Sequence, residues 1–141
     1  MIRTLVAAYV TAAVVMIALD AVWLSATNAT LYRPALHDLL ATSFRPGPAV
    51  AFYGIYLVGV VVLAISPALS QGGWRRAASS GGVLGFVAYA TYDLTNQATL
   101  VVWSTTLTVI DMSWGALLTA ACATAGYLAA RTISGSAPAA R

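Results

Sequence analysis

The sequence contains no lysine and no glutamate. All seven basic residues are arginines, the four acids are Asp20, Asp38, Asp93 and Asp111, and charged residues make up only 8% of 141 positions. With 60% hydrophobic residues and a mean hydropathy of +0.84, this scarcity excludes an ordinary soluble domain, which carries about 25% charged residues. The arginines are scattered singly or as the pair Arg75 and Arg76, with no basic stripe, which argues against nucleic acid as a partner despite a formal net charge of +3. The single cysteine, Cys122, can form neither an intrachain disulfide nor a Cys-rich metal site, and is read as a small core residue. There is no glycine-rich phosphate loop, no Ser/His/Asp set on credible elements and no His or Cys cluster. No metal and no cofactor are therefore expected.

What is present is long apolar runs. A bilayer core of about 30 Å requires roughly 20 apolar residues per helix, and four runs qualify: residues 4–27, 49–69, 80–101 and 107–130. They predict an all-α, integral membrane four-helix bundle, with residues 1–131 as one domain and 132–141 as a flexible cytoplasmic tail. The first run is long for a signal peptide and contains Asp20 and Trp23, so it is read as a retained helix. Five arginines (Arg3, Arg75, Arg76, Arg131, Arg141) fall on one side and two (Arg33, Arg45) on the other, which predicts cytoplasmic N and C termini in a multi-pass protein of a bacterial inner membrane. The stretch "SQGGWRRAASSGG" then becomes a cytoplasmic bend. In the external segment, "RPALHDLLATS" carries an early proline and places Leu36, Leu39 and Leu40 on one side, as a short interfacial helix would. His37 and Asp38 would form part of its solvated face.

The polar residues are concentrated at one depth. At about 1.5 Å per residue, Asp20 lies about 24 Å up the first helix and Asp93 about 20 Å up the third, while Asp111 lies within about 6 Å of the outer end of the fourth. On the third helix Tyr89, Asp93, Asn96 and Gln97 form a continuous stripe; on the first Asp20 and Trp23 share a face, and on the fourth Asp111 and Trp114 do so. Tyr53 and Tyr56 on the second helix can donate to carboxylates. "LDAVW" and "IDMSW" share the spacing D-x-x-W on helices of opposite direction, without a wider repeat. Insertion of an aspartate at mid-membrane costs roughly 2.5 to 3.5 kcal/mol, so three at one depth point to function rather than to packing alone. The expected ligand site consists of Asp20, Trp23, Arg33, Tyr89, Asp93, Asn96, Gln97, Asp111 and Trp114. Arg33, beside Pro34, is the candidate counter-charge or anionic head-group anchor.

The motifs "LDAVWL", "LYRP", "YATYDLTNQATL" and "VIDMSWG" resemble those of a family of small bacterial membrane proteins, domain of unknown function family 2177. The resemblance covers nearly the whole chain and implies a four-helix membrane topology. Three functions fit the polar layer: binding or modification of an amphipathic, lipid-like ligand; proton- or cation-coupled transport by an oligomer; and an accessory or assembly role in a larger membrane complex. No nucleophile and base form an identifiable pair, so enzyme and binder both stay open. Membrane lipid is the expected partner, with a homo-oligomer or larger complex as further possibilities.

Overall fold

The computed structural model describes residues 2–36 and 39–135, and among them there is no strand. His37 and Asp38, expected on a solvated face, and residues 136–141 of the expected tail lie outside the described residues. The described residues form four long helices: α1 (Ile2–Leu36), α2 (Pro46–Ser70), α3 (Gly73–Thr99) and α4 (Thr105–Gly135). α1, α2 and α4 are long and apolar enough to cross a membrane. α3, at 27 residues, matches them in length but carries Arg75, Arg76, Asp93, Asn96 and Gln97.

Two prolines shape α1 and α2. Pro34 and Pro67 lack the N–H that would bond to the carbonyl four residues earlier, and the ring displaces that carbonyl. In both helices the preceding backbone widens into a five-residue π-helical segment, Asn28–Tyr32 and Val61–Ile65. Arg33 N–H then donates to Asn28 O, and Ser66 N–H to Val61 O, each across five residues. Both segments end two residues before their proline. The second seats Ile65, fully buried, beside Gly126 of α4.

α4 is the central helix, packed most extensively against α3 and next against α1. The α3 seam is built from glycine because the backbones nearly touch. A methyl group at Gly81 would stand 2.7 Å from the Thr119 carbonyl oxygen, and one at Gly85 would overlap the Gly115 carbonyl and the Thr119 side chain. The Tyr89 ring covers Gly115, and Gln97 bonds to Thr105 and Thr108. Reading along this antiparallel seam, 81 faces 119 and 123, 85 faces 115 and 119, 89 faces 115, and 97 faces 105 and 108. On α1, buried Ala8, Ala12, Met16 and Asp20 recur every fourth residue, so one face meets α4 from Gly126 to Trp114.

Some boundaries differ from the sequence expectation. The bend foreseen over "SQGGWRRAASSGG" contracts to Gly72 and Gly73, whose φ of +73° suits glycine, and Trp74 to Ser80 are already helical. The separate interfacial helix is replaced by continuation of α1 through Arg33–Leu36. Leu36 is buried with Trp103 and Leu107, which holds the end of α1 onto the α3–α4 connection instead of releasing it to the surface. Leu39 and Leu40 are exposed, Leu39 in a 3-10 turn and Leu40 with its N–H bonded back to the Leu36 carbonyl at 3.1 Å. α4 runs to Gly135, beyond the expected limit at residue 130.

The glycine seam predicts that Gly85→Ala destabilises the bundle by about 1 to 3 kcal/mol through overpacking. Gly59→Ala, whose methyl meets nothing within 4 Å, should stay within about 0.5 kcal/mol of the parent. Thermal melting of both variants in one detergent checks this, and equal melting temperatures would contradict the close approach.

Candidate functional site

Two aspartates at the end of the bundle where α1 finishes and α2 begins are bonded crosswise. Asp20 of α1 is 8% exposed; its Oδ2 accepts from the Tyr53 hydroxyl at 2.8 Å and its Oδ1 from the Trp114 ring N–H at 3.1 Å. Asp111 of α4 is 5% exposed, and its Oδ1 accepts from the Tyr32 hydroxyl. That hydroxyl in turn accepts from the Trp23 ring N–H at 2.9 Å. The two D-x-x-W segments therefore meet antiparallel. The Trp of α4 reaches the Asp of α1 directly, and the Trp of α1 reaches the Asp of α4 through Tyr32. Between them the Trp23 and Trp114 rings stack with centroids 4.4 Å apart and planes 6° from parallel. Neutral N–H and O–H donors thus meet both carboxylates, while Arg33 lies exposed.

Tyr32 was not among the expected site residues, although it sits in the "LYRP" motif. On a straight α-helix the nine residues from Trp23 to Tyr32 span about 2.5 turns and put the two side chains on opposite sides. The π-helical segment takes more residues per turn and rotates Tyr32 back toward Trp23 and Asp111. Pro34, two residues on, is the signal that could have revealed this.

Asp93 is treated differently. It is fully buried, and among the described residues neither carboxylate oxygen has a hydrogen-bond partner. Along the α3–α4 seam it falls between Tyr89, which covers Gly115, and Gln97, which bonds to Thr108. That register sets it on the face of α3 that meets the Thr108–Asp111 turn of α4. Beside that turn a cleft of about 310 Å³ is lined by Phe52, Ala88, Tyr89, Tyr92 and Asp111. Phe52 and Tyr92 are about half exposed at its mouth.

The remaining expected residues divide into two groups. Tyr89 walls the cleft, and Asn96 stands half-buried beside Tyr92. Gln97 instead fastens the hairpin: its Nε2 donates to Thr105 Oγ1 at 2.8 Å and its Oε1 accepts from Thr108 Oγ1 at 2.8 Å. Trp103 Nε1 donates to the same Thr108 hydroxyl at 3.2 Å. Phe52, Ala88 and Tyr92 join the cleft without having been expected there. They adjoin residues that were recognised, but carry no charge to mark them. Among the described residues, no group of three or more His, Cys, Asp or Glu is placed to hold a metal ion.

Residues 5–128 match the family described as a predicted membrane protein, DUF2177. The chain belongs to that family. Every residue of the crossed network and the cleft lies within the span matched to DUF2177, so the site is part of the family domain rather than an appendage. No curated protein and no solved structure matches the chain.

The crossed network makes the Asp20 donors interdependent. Tyr53→Phe or Trp114→Phe alone leaves one donor on Asp20 and should cost about 1 kcal/mol, since single interhelical hydrogen bonds in membranes contribute about 0.6 to 2 kcal/mol. The double variant should lose more than the sum, because a buried carboxylate is then left unmet. Unfolding titrations of the three variants measure the coupling. Trp114→Phe should also abolish the near-ultraviolet circular dichroism of the stacked indoles, and an unchanged spectrum would contradict the stack.

Proposed function

We propose that this DUF2177 chain binds an amphipathic, lipid-like molecule whose polar end sits against Asp111 and whose tail lies along the bundle surface. The supporting observation is the cleft itself, about 310 Å³ with an aromatic and apolar wall of Phe52, Ala88, Tyr89 and Tyr92 and a carboxylate at Asp111. That volume falls at the lower end of small-molecule sites, enough for a head and the first few methylenes. The outward-facing Phe86 and Val87 of α3 offer an apolar track for a longer tail. Asp111 accepts hydrogen bonds and repels anions, so the polar end carries a donor such as a hydroxyl or an amine. Arg33, exposed near the same end, remains available to the anionic head groups of surrounding lipid. On the arginine count, the cleft opens in the outer leaflet of a bacterial inner membrane.

Transport along the bundle is less well supported. Beyond Tyr89 the α3–α4 seam closes tightly on Gly85, Gly81, Thr119 and Ala123.

Native mass spectrometry of the purified chain tests the proposal. A restricted set of co-purifying species is expected, and Ala88→Trp, which fills the cleft from its wall, should remove it while leaving the melting temperature of the empty protein within a few degrees. A lipid profile that matches the bulk membrane in both proteins would overturn the reading.

A further inference from the structure

We infer that the polar end of the ligand is a primary alkylammonium, held between Asp111 and Asp93. The inference rests on the cleft reading above and deepens it by naming the chemical class.

Among the described residues, three carboxylate oxygens of Asp111 and Asp93 have no hydrogen-bond donor. Tyr32 takes Asp111 Oδ1, so Oδ2 remains free beside the cleft. Both Asp93 oxygens are unpartnered although the residue is fully buried. The seam directs Asp93 toward Asp111, since its neighbours one turn away on either side face Gly115 and Thr108. A buried carboxylate without donors costs far more than a satisfied one, so a partner supplied from outside stabilises the site strongly. A primary ammonium carries three N–H donors and no acceptor, whereas a hydroxyl carries one donor and would leave two oxygens unmet. Its positive charge also offsets two facing carboxylates that no arginine reaches. The walls agree with this choice, because Phe52, Tyr89 and Tyr92 present aromatic faces of the kind that attract cations.

Binding of four probes to the full chain in nanodiscs, followed by tryptophan fluorescence and melting temperature, separates the possibilities. Dodecylamine is expected to bind at least about tenfold more tightly than dodecanol or dodecyltrimethylammonium, the equivalent of losing one charge-assisted hydrogen bond. Ethylamine should bind weakly, since it lacks the tail. Asp93→Asn, which keeps the shape and removes the charge, should abolish the preference for amine over alcohol while melting no lower than the parent. Asp111→Asn should do the same to the preference. Equal binding of dodecylamine and dodecanol by the parent protein would overturn the ammonium inference and leave the lipid-like cleft standing. Ethylamine binding as tightly as dodecylamine would support the ammonium site but contradict the amphipathic reading. Failure of all four probes would overturn both. Should Asp93→Asn not fold, the preferences of the parent among the four probes still decide the matter.

Discussion

Carboxylates buried in an apolar bundle must meet donors, and Asp20 and Asp111 meet theirs on other segments of the chain. Much of the arrangement at this end follows. Because Trp114 serves Asp20 while Trp23 serves Asp111 through Tyr32, α1 and α4 are fixed in register as well as in proximity. The Trp23 and Trp114 rings are brought face to face by the same constraint, and Tyr53 ties α2 to the pair. Indole and phenol suit this role better than arginine does. Each brings one directed donor on a large apolar body, so the carboxylate is satisfied without importing a second charge that itself needs solvation.

The prolines extend this logic from side chains to backbone. A proline in a helix interior normally kinks or ends it. In α1 and α2 the chain instead absorbs the missing N–H over one widened segment and resumes α-helical geometry. The rotation this produces is what aims Tyr32 at Asp111, and it delivers Ile65 to the gap beside Gly126. A rule that treats Pro34 as a helix start therefore places the right residue in the wrong element.

The architecture could be read from the sequence because membrane helices are set by run length, and the polar layer because depth follows from residue count at constant rise. The donor Tyr53 was visible for the same reason, being at matching depth on regular helix, whereas Trp114 was legible only as sharing a face with Asp111, and its bond to Asp20 was not. Tyr32 was hidden by the π-helical rotation, which no straight-helix wheel contains. The start of α3 was hidden by composition: glycine, serine and arginine before residue 80 read as a bend, but Gly72 and Gly73 suffice for the turn and Trp74 to Ser80 are already helical. Gln97 looked like part of the pocket since it shares the stripe of Asp93. One turn farther toward the helix end it meets Thr105 and Thr108, and its amide is consumed in closing the hairpin.

The contrast between Asp93 and the other two aspartates comes from the seam it occupies. α3 and α4 approach closely at Gly85, and the side chains that satisfy Asp20 and Asp111 are Tyr32 of α1, Tyr53 of α2 and Trp114 of α4. Asp93 faces α4 where neither a tryptophan nor a tyrosine is aimed at it. Nothing in the packing requires a carboxylate at that position: an alanine or leucine would occupy a helix–helix seam at lower desolvation cost. Its free oxygens are thus a local cost that the fold itself does not offset, set next to an aromatic cleft with a second carboxylate. An unmet polar group in such a place gains its stabilisation from whatever enters the cleft.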